Sequence, residues 1–370
     1  MENSLLNSKK KSFGLYEAAL ATILFIVFNS VFIFFYRMVP VDAREEGSAV
    51  YYIASFLIEA LFGVTAFVVA TTRKVDFVKG IGANKKVNGN IVFYSVIMTL
   101  ACLFLFGNLT DVFVNFLGLC GYSSILGSLE IKTFDIYLVY VLVSCVAPAV
   151  FEEVLFRGVI ASGLKERGFK VALVCSAIIF SLMHGNPEQT IHQFVLGLVV
   201  GFVFLKTGNL WVGIIFHFTN NFTAVTMNFV ANLLSKGDAA AEAVEEASKY
   251  GWGNLFGDLV IALIFAAVGY FAVKKLIALI IAEDNKLNGL NKENLESSTI
   301  KVDGKEVETQ MLVEGEVQTD KTMQENAAEV TVQKTKEPIP ISITIMFVLA
   351  GAYFAFEWFS SLLIGLGAVS

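Results

Sequence analysis

The sequence contains about nine apolar runs, most of them long enough to cross a lipid bilayer. A membrane-spanning helix needs about 20 predominantly apolar residues. Backbone groups in lipid have to be satisfied within the structure, and the runs are continuously apolar rather than alternating, which favours helices over a barrel. The sequence therefore predicts an all-α, polytopic transmembrane helical bundle, with spans near residues 16–36, 49–70, 91–106, 134–160, 171–184, 190–205, 210–230, 254–273 and 341–365.

The composition agrees with an integral membrane protein. Hydrophobic residues make up 56% of the chain and charged residues 16%, whereas soluble domains are about 25% charged. The four cysteines show no CxxC or Cys/His ligand spacing, so no disulfide or thiolate metal site is predicted. The run at 16–36 lacks a small-residue cleavage site and is interpreted as a retained first span rather than a signal peptide.

Basic residues recur in alternate loops of the predicted bundle. Lys9, Lys10 and Lys11 precede the first span, and further lysines and arginines follow the second, fourth, sixth and eighth spans. The loop at 232–253, on the opposite side, is acidic. Because cytoplasmic loops carry the excess of Lys and Arg, we predict a cytoplasmic N-terminus. The three lysines near the start, the compact loops and the absence of a transit-peptide composition are compatible with a bacterial plasma membrane, which is the predicted location.

The polar segment at 283–340 separates the last predicted span from the rest. It contains no aromatic residue, so it cannot bury enough apolar surface to offset the entropy of ordering. A disordered linker is predicted there, with local pairing of residues 299–302 as the alternative. The other predicted regions are N-terminal membrane helices at 1–130, a core at 134–230, an acidic loop with a further helix at 231–282, and a C-terminal membrane helix at 341–370.

Glu152, Glu153 and Arg157 lie at the end of the apolar run at 134–160. Ionisable side chains within a membrane cost roughly 2.5–3.5 kcal/mol each on insertion scales, so they rarely occur there without a partner or a task. Neighbouring helical residues point about 100° apart, so the two carboxylates cannot face one site. Glu153 and Arg157 have the i, i+4 spacing of an ion pair, which leaves Glu152 for a cavity. The alternative is a pair of charges at a helix end, with Arg157 snorkelling to the surface.

The three histidines follow within or beside the next apolar runs. His184 closes the fifth run, and His192 comes shortly after it. His217 and Asn221 are spaced i, i+4 and share one face of the seventh run. Taken singly, His184 suits a helix end and the His217–Asn221 pair suits an interhelical hydrogen bond. Taken together with Glu152, they predict one active site built from a compact set of helices.

These residue types allow two kinds of chemistry. No HExxH motif is present. Glu152, His184 and His217, with Glu153 nearby, are nevertheless candidate oxygen and nitrogen ligands for zinc, so a metal stays uncertain. Without a metal, a carboxylate beside an imidazole activates water as a general base. A second histidine and the Asn221 amide then donate to the oxyanion.

Three short motifs, in order, resemble those of a known family. Residues 152–157 resemble its EExxxR motif, 180–184 its FxxxH motif and 217–221 its HxxxN motif. The glycine-spaced stretch between the last two motifs is also similar. The family is that of the CPBP intramembrane proteases, which includes the type II CAAX prenyl endopeptidases and the bacterial abortive-infection-like proteins. The resemblance extends over residues 134–230.

The resemblance implies peptide-bond hydrolysis in a cavity within the bundle. It assigns water activation to Glu152 and His184, oxyanion stabilisation to His217 and Asn221, and an orienting role to Glu153 with Arg157. His192 matches none of the motifs. A membrane-associated peptide or protein is the expected substrate, more plausibly a leader peptide, signalling peptide or membrane segment than a prenylated protein. The lipid bilayer is the other expected partner, and no nucleic acid is expected.

Two other functions fit the same pattern of residues. A peptide-binding or bacteriocin-immunity membrane protein would keep the fold without catalysis. An ion-coupled transporter would use the intramembrane Glu and His side chains as a relay. The sequence has no internal repeat, which disfavours the transporter. The intact motifs favour the endopeptidase over the binding protein.

Overall fold

The structure is a computed structural model that describes residues 12–124, 131–234, 251–289, 298–302, 305–309 and 338–367. The chain has two compact units, one formed by Met1–Leu287 with Ile339–Ser370 and the other by Asn288–Pro338. The larger unit contains every candidate site residue.

The larger unit is a bundle of helices. In chain order they are α1 (Leu15–Arg37), α2 (Ala49–Thr72), α3 (Phe77–Gly80), α4 (Gly89–Leu119), α5 (Phe134–Arg167), α6 (Phe169–Met183), α7 (Thr190–Thr207), α8 (Leu210–Leu234), α9 (Trp252–Asn288) and α10 (Ile341–Gly365). Short 3-10 turns precede α2 at Asp42–Arg44 and α7 at Pro187–Gln189. The predicted all-α bundle is confirmed, and each of the nine predicted runs falls on one helix.

Seven of the helices in the described part of the chain are long and apolar enough to cross a membrane. The two predicted spans outside this set are α6 and α8. The first has only 15 residues, a length of about 22 Å, and the second carries the polar His–Asn face. The protein is therefore an integral membrane protein, and nine is an approximate count of its spans.

The two larger apolar clusters of the described bundle join different sets of helices. One joins α1, α2, α5 and α6 through aromatic rings, with Phe156 5.1 Å from Phe180 and 6.0 Å from Phe62 between ring centroids. The other joins α4, α7, α8 and α9. At Gly197 of α7 an added Cβ would lie 3.1 Å from the Ala177 backbone of α6, so this glycine lets the two helices pack closely.

Helix α9 continues past the predicted start of the polar linker. Residues 283–288 are helical rather than part of a linker, which corrects the predicted boundary. The reason is polar contact with the bundle. The Asn209 amide donates to the Asp284 carboxylate at 2.7 Å, and the Asn88 amide donates to Glu283 at 2.7 Å.

The smaller unit contains a two-stranded antiparallel hairpin. Strand β1 (Ser298–Val302) pairs with β2 (Lys305–Thr309), so the alternative of local pairing at 299–302 is the one found. Residues 290–297, 303–304 and 310–337, on which the prediction of disorder mainly falls, lie outside the described residues. So do residues 235–250 of the predicted acidic loop.

Candidate active site

Helix α5 departs from regular α-helical geometry on both sides of the glutamate pair. Its segments are Phe134–Tyr140 (α), Val141–Val146 (π), Ala147–Glu153 (α), Val154–Ala161 (π), Ser162–Leu164 (α) and Lys165–Arg167 (3-10). Pi-helical turns inside α-helices are frequent at functional sites. Pro148 has no backbone N–H to bond the Ser144 carbonyl four residues earlier. The Asn221 amide of α8 donates to that carbonyl at 2.9 Å.

Glu153 is the charged centre of the site. Its Oε1 atom lies 2.9 Å from Arg157 Nη1, and the two form an ion pair without hydrogen-bond geometry. The same oxygen lies 3.1 Å from His217 Nδ1 and is hydrogen-bonded to it. Glu153 is 1% exposed and Arg157 3%. The predicted i, i+4 pair is thus formed. The contact with His217 was not anticipated, because residue spacing along one helix carries no information about a second helix.

Gly213 makes room for Glu153 on α8. A Cβ added at Gly213 would lie 2.5 Å from Glu153 Oε2, closer than side-chain atoms approach one another. Gly213 stands four residues before His217, on the same face of α8. The absence of a side chain at Gly213 therefore lets the carboxylate reach His217.

We expect Gly213→Ala to lower stability by about 1–3 kcal/mol, because the added methyl group overpacks a buried contact. Thermal unfolding in detergent, followed by circular dichroism, measures the effect. Gly257→Ala is the matched control, since Gly257 lies in helix α9 with no atom within 4 Å of the added Cβ. An equal or smaller loss in Gly213→Ala than in the control would contradict this account of the packing.

Glu152 contacts a residue that the sequence reading missed. Its carboxyl group is hydrogen-bonded to that of Glu59 on α2. An ionised carboxylate only accepts hydrogen bonds, so one of the two groups holds the shared proton. Glu59 is the only charged residue of α2, and a lone carboxyl group inside a membrane span is a signal that sequence reading can use.

Phe180 is where the three motifs meet. The Arg157 guanidinium carbon lies 4.3 Å from the centroid of its ring. The rings of His184 and His217 stand edge-on to it, with centroids 5.1 and 6.0 Å away. The first residue of the FxxxH motif therefore lies against one residue of each motif, namely Arg157, His184 and His217.

His184 ends α6 at the depth of this cluster. Because α6 is short, its last turn stops within the bundle, so His184 comes level with Arg157 and His217. The His184 Nδ1 atom donates to the Phe180 carbonyl at 2.8 Å, since a carbonyl only accepts. This bond selects the tautomer whose Nε2 lone pair is free to accept a proton or bind water.

Asn221 belongs to a chain of hydrogen bonds that begins at His192. The His192 Nε2–H group donates to Asn220 Oδ1 at 3.2 Å, the Asn220 amide donates to Asn221 Oδ1 at 2.9 Å, and Asn221 donates to Ser144. His192 was left out of the predicted site and Asn220 was not named. Both orient Asn221, whose amide keeps one of its two N–H groups for another acceptor.

The side chains predicted to converge do so in two groups. Glu153, Arg157 and His217 form the ionic group, while Glu152 pairs with Glu59. Among the hydrogen bonds of the described residues, none joins Glu152 to His184 directly. No three His, Cys, Asp or Glu side chains of the described chain are grouped as metal ligands, so Glu152, His184 and His217 do not form a ready zinc site.

Comparison with known proteins agrees with the motifs. Residues 134–223 match the family model described as Type II CAAX prenyl endopeptidase Rce1-like. This segment of the chain is thus similar to the CPBP family. The CPBP segment contains every candidate site residue named from the motifs, whereas Glu59 and helix α10 lie outside it.

The chain is also similar to a protein of Bacillus subtilis (strain 168) described as "Putative membrane peptidase YdiL". The two are 28% identical over 88 residues, which cover 24% of this chain and 36% of the relative. The chain thus spans about a third of the length of the curated relative it matches. No solved structure matches it.

Proposed function

We propose that this protein is an intramembrane endopeptidase that hydrolyses a peptide bond of a membrane-associated protein or peptide. The observation that carries the proposal is that Arg157, His184 and His217 lie around the Phe180 ring inside a bundle of membrane helices, with Glu152 buried on the same helix as Arg157. Buried ionisable groups on three helices suit acid–base chemistry better than packing, because each of them is costly to bury in a membrane.

The proposed nucleophile is a water molecule held between Glu152 and the free Nε2 atom of His184. With the shared proton on Glu59, the ionised Glu152 accepts a proton from this water as the water oxygen attacks the scissile carbonyl carbon. The carbonyl electron pair moves to the oxygen, giving a tetrahedral oxyanion. When the oxyanion collapses, the C–N bond breaks and the proton on Glu152 passes to the leaving amine, so that Glu152 is regenerated.

His217 and Asn221 are the proposed oxyanion donors. With Nδ1 held by Glu153, the Nε2 side of His217 is free to point at the substrate. Donation from Nε2 requires the imidazolium form of His217, whose positive charge lies against the Glu153 carboxylate, to which Arg157 is also paired. Asn221 supplies its second N–H group. Such preorganised donors in a site without bulk water contribute more than they would in solution.

The test is a comparison of protein termini in membranes of cells that lack the protein and carry either the wild type or Glu152→Ala. We expect new termini in membrane-associated proteins only with the wild type, at equal levels of inserted protein. Glu45→Gln is the matched control, because Glu45 is exposed in a loop away from the site. Identical termini in the wild-type and Glu152→Ala membranes would rule out proteolysis as the function.

We also propose a cytoplasmic N-terminus in a plasma membrane, as the distribution of basic residues indicates. Cys120 tests the orientation, since it is exposed at the end of α4 while Cys102 and Cys145 are buried. With the N-terminus inside, α1, α2 and α4 bring Cys120 to the outer face.

We expect a membrane-impermeant maleimide to label Cys120 on intact cells. Cys120→Ser is the control and loses that label. If Cys120 were labelled only after the cells are opened, the N-terminus would lie on the outer side of the membrane instead.

A further inference from the structure

Helix α10 lies outside the matched CPBP segment and yet contacts the site. The indole N–H of Trp358 donates to Thr190 Oγ1 at 2.7 Å. On the preceding residue, the Cβ atom of Glu357 lies 3.9 Å from the position that a Cβ would take at Gly185. Gly185 directly follows His184. Helix α10 therefore lies against residues 184–190, the loop that joins α6 to α7.

Thr190 ties three parts of this region together. Its backbone carbonyl accepts from Ser181 Oγ in the last turn of α6 at 2.8 Å. Its hydroxyl donates to the Asn186 carbonyl within the loop at 3.2 Å and accepts from Trp358 of α10. His184 lies between Ser181 and Asn186 in the chain. The position of His184 thus depends on bonds that converge on Thr190.

The two ends of α10 are anchored independently of this contact. Near its start, Ile343 is buried in the apolar cluster of α1 and α6. At its end, the Gly365 carbonyl accepts from the Ser123 backbone N–H at 2.7 Å, and the Tyr122 ring packs against Gly365. Held at both ends, α10 is able to impose a position on the loop.

The Trp358–Thr190 bond is a polar contact on a mostly apolar helix. Helix α10 also packs against α6 and against the 3-10 turn at Pro187–Gln189, and the indole N–H adds a directional bond of 2.7 Å to this packing. Within a bilayer no bulk water replaces a lost partner, which makes a polar bond between helices selective.

We propose that α10 is part of the active site, with Trp358 acting through Thr190 as a positioning residue for the loop at 184–190, which carries His184 and leads into the first turn of α7, where His192 lies. The inference rests on the proposed function for the importance of His184. The claim that α10 sets the position of these histidines holds whether or not the protein is an enzyme. Displacement of α10 is then a route by which events outside the CPBP segment alter the site.

The chain offers a direct test, because it contains only three histidines. Ring-labelled histidine gives three NMR signals, assigned by single substitutions in the full-length protein in lipid nanodiscs. We expect Trp358→Phe to shift the signals of His184 and His192 and to speed amide exchange in residues 185–190. The His217 signal should move less, since Glu153 holds that ring. Trp252→Phe is the matched control, because Trp252 is 59% exposed at the start of α9, and it should leave all three signals unchanged.

A second pair of variants separates the bond from the bulk of the side chain. Thr190→Val keeps the shape of threonine and removes its hydroxyl, and with it the bonds to Trp358 and to the Asn186 carbonyl, so it should shift the same two signals at least as far as Trp358→Phe does. Thr190→Ser keeps the hydroxyl and should restore the wild-type signals. The double variant Trp358→Phe, Thr190→Val should add no further shift.

Unchanged His184 and His192 signals in both Trp358→Phe and Thr190→Val would overturn the proposal. This failure is distinct from a failure of the proposed function. Signals that shift in a protein without proteolysis would refute the endopeptidase and keep the positioning role. Proteolysis together with unshifted histidine signals would support the endopeptidase and refute the positioning role of α10.

Discussion

Replacing Glu152 by glutamine is expected to remove most cleavage while leaving the bundle folded. Glutamine has nearly the same shape but cannot accept the proton of the attacking water. Loss of a general base typically reduces the rate about a hundredfold to ten-thousandfold. We expect kcat/KM to decrease for the substrate peptide identified by comparing protein termini in wild-type and Glu152→Ala membranes. Stability should not fall, because the glutamine amide can donate to Glu59, where two carboxyl groups previously had to share a proton.

Glu59→Gln is the matched variant for this prediction. It keeps a hydrogen-bonding partner for Glu152 and removes only the second acid, so a smaller loss of activity is expected than in Glu152→Gln. Kinetics of the purified proteins in nanodiscs, with thermal unfolding alongside, measure both effects. If Glu152→Gln retained wild-type kcat/KM, another group would have to activate the water.

Replacing Arg157 by methionine is expected to destabilise the protein by about 3–5 kcal/mol, the usual effect of removing one partner of a buried ion pair. Glu153 would be left buried with His217 as its remaining partner. The ring of Phe180 would also lose the guanidinium that lies 4.3 Å above it, a contact worth about 2 kcal/mol when desolvated. Thermal unfolding by circular dichroism in one fixed detergent gives the comparison.

Two further variants test the cause of that loss. Arg157→Lys keeps the positive charge but loses the planar guanidinium group. Its stability should therefore lie between those of the wild type and Arg157→Met. The double variant Glu153→Gln, Arg157→Met removes both charges and should be more stable than Arg157→Met alone. Losses that simply add in the double variant would show that the two side chains are not energetically coupled.

The helical bundle and most of the motif residues were accessible to sequence reasoning for simple reasons. Apolar runs of bilayer length admit only helices, so each helix could be identified, although α4 and α9 continue well past the predicted ends at 106 and 273. The Glu153–Arg157 pair followed from the period of a single helix. The depth of His184 did not follow, because it depends on how far the short helix α6 reaches into the bundle.

The residues that sequence reasoning missed are joined to the site by contacts between helices. Glu59 is a visible anomaly in its span, but no local rule says that it meets Glu152. His192 matches no motif, and its role rests on a bond to Asn220 of α8. Trp358 lies in a helix far along the chain and reaches the site only through Thr190.

The sequence by itself determined which segments enter the membrane, which side chains within them are too costly to be idle, and which share a helix face. These are local properties, set by hydropathy and by the 3.6-residue period. Only the tertiary structure decided that Glu153 serves both Arg157 and His217, that Glu152 shares a proton with Glu59, and that α10 supports the His184 loop. Those outcomes depend on which helices pack together, and packing between helices is decided by shape, as at Gly197 and Gly213, rather than by any periodic pattern along the chain.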